Sequence, residues 1–170
     1  MTSLNMPKLK EMIHYIASTI PEEKLGKTKL NKILWFSDRE AYLKLGHTIS
    51  GGTYIRMPRG PVADSLNAAL FSLEADGILT TISEYHGEYS KYTFHSLTQP
   101  ECKCISNEET QILDSQIKRL ADLTAKEVSE LSHDYTWDLY ENGEPIDMVA
   151  VLARPMKPTA EDIAWAKGLV

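Results

Sequence analysis

The residues of this chain that could do chemistry are five histidines, two cysteines and a short basic segment in the first half. His14, His47, His86, His95 and His133 share no metal-ligand spacing, and there is no H-E-x-x-H helix, no G-x-S-x-G elbow and no glycine-rich phosphate loop. Cys102 and Cys104 stand two apart in PECKCISN. A zinc site takes four donors, or three and an open position, and a lone C-x-C supplies only two. The pair reads as two reduced loop thiols, with no metal and no cofactor. His133-Asp134 has the residue types of an oriented base, but neighbours in a helix do not face each other, which favours a structural role. With no nucleophile, base and orienting group in one pattern, the sequence reads as a protein that is not an enzyme.

Contact chemistry remains. Tyr54, Arg56, Met57, Pro58 and Arg59 lie close together, and aromatic, Met and Arg side chains are the types enriched where proteins meet. A second group, Tyr85 and Tyr89, flanks the tip of a predicted hairpin. Tyr54, Arg56, Arg59, Tyr85 and Tyr89 are therefore the candidate partner-binding residues. In the competing reading Tyr54 packs on the core and the arginines pair with acids of the C-terminal part. The sequence weighs the two equally.

The basic segment must be held by the stretch that precedes it, KLNKILWFSDREAYLKLGHTIS. At 3.6 residues per turn, Leu30, Ile33, Leu34, Ser37, Ala41 and Leu45 fall on one stripe. Trp35, Asp38 and Tyr42 occupy one shoulder, and Phe36 and Leu43 the other. This pattern predicts a central helix over residues 28–45, packed on three sides, with Thr28 as N-cap and Gly46 in the left-handed C-terminal position. Pro7 opens an earlier helix with Leu9, Met12, Ile13, Ile16 and Ile20 inward. After the central helix come a turn, a short strand over residues 53–56, and a helix started by Gly60-Pro61. That helix runs over residues 61–76 with Val62, Leu66, Ala69, Leu70 and Leu73 inward, and Gly77 ends it. Ile78, Thr80 and Ile82, then Tyr92 and Phe94, alternate as the strands of a hairpin turning near His86-Gly87.

The second half is helical. Ser106 with Glu109 and Thr124 with Glu127 are capping-box pairs that start two helices. Ile146, Val149 and Leu152 suit a third, with a strand as the alternative, and a short terminal helix is predicted over residues 159–167. The whole is an α+β, mainly α-helical single domain with a β-hairpin, spanning 1–170. Its N-terminal half (7–97) is winged-helix-like in element order, and its C-terminal half (106–168) is helical.

At 170 residues, 42% apolar and 25% charged, the chain can build a real core without disulfide or metal. It has no apolar run near the ~20 residues of a membrane span and no signal-peptide core, so it reads as cytoplasmic with no membrane partner. The net charge of −6 is unevenly spread: residues 27–59 carry seven basic and two acidic residues, residues 101–170 seven basic and fourteen acidic. As a DNA reader, the helix over 61–76 has no Lys or Arg and carries Asp64, Glu74 and Asp76. Phosphate contacts supply most of such affinity, which makes DNA a poor partner. The basic middle alone keeps a nucleic-acid-binding autoregulator as an alternative.

LNKILWFSDREAYLKLGHTIS followed by RGPVADSLNAALFSLEADGIL resembles the Panacea domain, the SocA/GepA-like family of phage-associated proteins and antitoxins. The residues carrying the resemblance are Lys29, Leu30, Lys32, Trp35, Phe36, Asp38, Gly46, Gly60, Pro61 and Val62, with His133 and Trp137 as the later His and Trp of the pattern. Trp35 stands where a tyrosine is common, and no proline precedes Trp137. The resemblance implies an antitoxin of a bacterial or phage toxin–antitoxin pair, inhibiting a cognate toxin from a neighbouring gene by direct contact. A homodimer is a further expectation, and an adaptor that delivers a client to a protease is the other alternative function.

Overall fold

The computed structural model describes residues 3–85, 87 and 90–153. Helix α1 (Met6–Thr19) is capped by the Asn5 side chain, with Pro7 in its first turn, and buries Leu9, Met12, Ile13 and Ile16. A single 3-10 turn, Glu22–Lys24, leads to α2 (Lys27–Leu45). Its N-cap is Gly26, two residues earlier than the expected Thr28, and it ends at Gly46 (φ 77°), whose N–H donates to Tyr42 O. Only glycine adopts that left-handed position without strain.

Every residue from 29 to 38 is buried. A helix buried on all sides over such a run is the centre of a fold and not one of its faces. It packs on α1, on the last two full-length helices, α4 (Asn107–Leu120) and α5 (Ala125–Ser132), and on the strands around residue 60. Leu43, expected on a packed shoulder, is 45% exposed, whereas Leu45 in the same last turn packs against the core.

The strand over 53–56 is β1 (Tyr54–Ile55), the middle of a small antiparallel sheet in the order β2-β1-β5. Its neighbours are β2 (Val62–Ala63) and β5 (Pro145–Ile146), with Tyr54 opposite both Ala63 and Ile146. The predicted helix over 61–76 is thereby corrected. Residues 62–63 are strand, and α3 (Leu66–Ala75) starts after Ser65. The carbonyl that would accept the first helical bond is already taken, since Pro61 O accepts from Lys32 Nζ, and Ala63 N is held by Asn31 Oδ1. The part of the predicted inward face that lies in α3, Leu66, Ala69, Leu70 and Leu73, is buried.

The hairpin is β3 (Leu79–Tyr85) with β4 (Ser90–Ser96), and Thr81 lies opposite Phe94. Its first strand is out of phase with the expectation. Leu79 and Phe94 point into the core, while Thr80 and Ile82 face out. The cause is the end of α3: Gly77 N donates to Glu74 O and Ile78 N to Leu73 O, a Schellman closure that absorbs Ile78 into the helix end. The strand begins one residue later, and one residue inverts its faces.

Both capping boxes, Ser106/Glu109 and Thr124/Glu127, form as the sequence predicts. A one-turn helix, α6 (Tyr135–Asp138), follows α5. The segment after it is strand β5 and then a 3-10 turn, Met148–Leu152, in place of the predicted third helix. Pro145 and Ile146 are drawn into pairing with β1, which is the strand alternative, and Asp147 caps the turn by accepting from Val149 N. The predicted terminal helix over 159–167 lies outside the described residues. The fold is mainly helical α+β.

Leu34 is wholly buried in α2. Leu34→Ala is expected to lower the unfolding free energy by about 2–5 kcal/mol, read from urea denaturation.

Candidate functional site

The segment singled out in the sequence begins at Tyr54, and the structure places that residue in the core. Tyr54 is 1% exposed, meets Trp35 edge-on at 5.1 Å, and donates its hydroxyl to Asp38 Oδ2 at 2.8 Å. Asp38 is itself fully buried in α2 and accepts from Ile49 N at 2.7 Å, Ser50 N at 2.9 Å and the Ser50 hydroxyl. Burial pushes the Asp38 carboxyl up from its ordinary value, and these donors oppose that rise. Burial, with the Asp38 charge beside it, pushes the Tyr54 phenol well up. Tyr54 therefore anchors the strand and is corrected from contact residue to core residue. Its hydroxyl is attached to the one buried acid within reach, leaving none for a partner.

From that anchor the chain emerges at Arg56, whose N–H donates to Glu144 O and whose carbonyl accepts from Gly143 N, each at 2.8 Å. The Arg56 guanidinium lies 3.8 Å from the centre of the Trp137 ring, and Trp137 Nε1 donates to Met57 O at 2.9 Å. His133 stacks on the same ring at 4.2 Å, with the planes 28° apart. Asp134 caps α6 by accepting from Trp137 N and pairs with Arg39 of α2 at 2.8 Å. The His133-Asp134 pair is thus divided: Asp134 positions the helix end and His133 lies on the surface against the tryptophan. Met57 is 39% exposed, Arg59 and His133 are exposed, and Arg56 and Trp137 are half-buried. Sequence reasoning from side-chain types missed Trp137. The one signal for it was its place in the family pattern.

Gly60 fixes the far end of the segment. Its φ is 91°, and a Cβ there would lie 2.0 Å from Ser132 Oγ and 2.8 Å from Lys32 Cε. Lys32 is 1% exposed and donates to Pro61 O at 2.7 Å; burial brings its ammonium down to about 7. The segment between β1 and β2 is therefore held at both ends and along one side. Tyr85, 77% exposed at the end of β3, bonds Gly87 O with its hydroxyl, and Tyr89 lies outside the described residues.

The basic middle is largely used up inside the fold. Lys29 bonds Ala121 O, Lys32 bonds Pro61 O, Arg39 pairs with Asp134, Lys44 with Glu40, and Arg56 stacks on Trp137. No continuous basic stripe of the kind nucleic-acid binders present comes from these residues.

One histidine–serine contact has catalytic ingredients. His14 Nε2 lies 3.0 Å from both Ser96 Oγ and Thr98 O. A carbonyl only accepts, so Nε2 carries the proton and is the wrong tautomer to take one from Ser96. Cys102 and Cys104 are free, in a loop whose amides at Lys103, Cys104 and Ile105 all donate to Glu11. Among the described residues no group of His, Cys, Asp and Glu could hold a metal, and no helix is long and apolar enough to cross a membrane.

The mainly helical scaffold displays an arginine–tryptophan–histidine stack beside an exposed methionine, and Arg, Trp and Met are side-chain types enriched where proteins meet. Residues 30–138 match the family model described as antitoxin SocA-like, Panacea domain, and the chain belongs to that family. No curated protein and no solved structure matches it.

Two measurements follow from Gly60 and Lys32. Gly60→Ala is expected to destabilise by about 2–5 kcal/mol through steric clash and positive φ, read by urea denaturation. Lys32 holds its proton less tightly in the folded chain, at about 7, than in the unfolded chain at 10.5. The unfolded state binds more protons between those values, so this lysine makes stability rise with pH across that window and penalises the fold below it. Unfolding titrations at about pH 7 and about pH 9 should show the rise in the native sequence and its loss in Lys32→Met.

Proposed function

We propose that this chain is a cytoplasmic antitoxin that neutralises a cognate toxin by direct protein contact, without catalysis. Its contact face is the surface built from Arg56, Met57, Arg59, His133 and Trp137, with Tyr85 and Tyr89 of the hairpin as a second contact region. The observation that carries this reading is the convergence of two segments about eighty residues apart, bonded at Met57 O and Trp137 Nε1, within the stretch that matches an antitoxin family. Arg, Trp and Met are the side chains that most often dominate binding energy at interfaces, and here they are pre-positioned, which lowers the entropy lost on binding.

The test is co-expression with the product of the neighbouring gene. That product is expected to be toxic alone and harmless together with this protein; toxicity that persists would overturn the reading. In the purified pair, Arg56→Glu with Arg59→Glu is expected to weaken the complex more than about tenfold while leaving the melting temperature near that of the native sequence. Unchanged affinity would move the interface off this face.

A further inference from the structure

Beside the contact face lies a cleft of about 620 Å³, within the size range of small-molecule sites. It is bounded by the start of α2, the segment over 57–62, the beginning of β4 and Ala125 at the start of α5. Its apolar walls include Met57, Pro58, Val62 and Tyr92, its cations are Lys27, Arg59 and Lys91, and the Lys32 amine forms part of the inner wall. None of its described lining residues is acidic.

Three features of this cleft concern charge. Lys27 Nζ stands 5.0 Å from the centre of the Tyr92 ring and bonds the neutral Asn67 Oδ1, so its charge is not compensated by a carboxylate at either contact. Lys32, at the inner wall, gives Pro61 O one hydrogen bond of the three an ammonium can give. The cleft also includes Gly26, the N-cap of α2, where no side chain accepts from the first turn and no acidic residue lies in that turn. A positive helix end, three cations and the Lys32 amine therefore share one concavity with a flat aromatic wall.

We propose that this cleft binds a small organic anion with a flat apolar body, its charged group toward Lys27 and Lys91 and its body between Tyr92 and the Met57-Pro58 wall. An anion without an apolar body leaves the wall unfilled. A neutral body leaves the cations without a partner. The site needs no toxin, and it meets the contact face at Met57 and Arg59.

The test uses the free protein and two probes, 2-naphthoate and its neutral counterpart 2-naphthol, followed by amide chemical shifts. 2-Naphthoate is expected to give saturable shifts at Lys27, Thr28, Val62, Tyr92 and Ala125. 2-Naphthol is expected to bind about tenfold more weakly or worse, and added salt should weaken only the anion. Lys27→Glu with Lys91→Glu should reduce 2-naphthoate affinity by about tenfold or more. Both changes are at the surface, and an acid in the first turn of α2 favours that helix. The proposal is overturned by no shifts at about 5 mM probe, by equal binding of the two probes, by shifts centred elsewhere, or by undiminished affinity in the double variant.

Discussion

The Asp38 carboxylate, wholly buried on α2, is the interaction on which the candidate face depends. Removing a carboxylate from water is expensive unless hydrogen bonds replace the lost hydration. Asp38 gathers two backbone amides and two hydroxyls, from Ile49, Ser50 and Tyr54. Those donors come from the loop that must turn back along the helix, so satisfying the acid and folding the loop are one event. Ser50 O then accepts from Asn5 N, which ties the start of α1 to the same junction. Gly51 permits the approach, since a Cβ there would lie 2.4 Å from Ser3 O.

The same principle repeats along the helix. Lys29 satisfies Ala121 O at the end of α4, Asn31 satisfies Ala63 N in β2, and Lys32 satisfies Pro61 O. At the end of α4 a cation also meets the negative end of a helix dipole. A helix buried along ten residues would ordinarily be apolar throughout. Here its polar side chains act as tethers, and each holds a different segment in register against the core. An apolar replacement of the same shape could raise stability, as with many buried ionic groups, but it would leave those segments free to choose another position.

The central helix, both capping boxes and the hairpin were legible in the sequence because each rests on local rules: period, cap and turn. The misreadings share a physical origin. Gly60-Pro61 has the local signature of a helix start, yet Lys32, about thirty residues earlier, claims the carbonyl that the first turn would use, and Asn31 fixes the Ala63 amide where β2 needs it. Ile78 alternates correctly with Thr80 and Ile82, yet the closure of α3 claims its N–H. Tyr54 looked like a contact residue because nothing local reveals a buried carboxylate sixteen positions away. Trp137 belongs with Arg56 only through tertiary packing, and side-chain composition carries no trace of that.

The tethers have a further consequence for the candidate face. Apart from the Ser50 and Tyr54 hydroxyls, the buried polar side chains Lys29, Asn31, Lys32 and Asp38 of α2 grip main-chain atoms: the amides of Ile49, Ser50 and Ala63 and the carbonyls of Pro61 and Ala121. Trp137 likewise holds Met57 by its carbonyl, and Arg56 is pinned to residues 143 and 144 by its own amide and carbonyl. Main-chain anchorage is indifferent to what the side chains are. The backbone over 56–59 is therefore positioned by the scaffold, while the side chains of Met57 and Arg59 remain exposed and unneeded by it. A scaffold of this kind can hold an exposed segment in place and still accept changes in its side chains, because its position and its surface chemistry reside in different atoms.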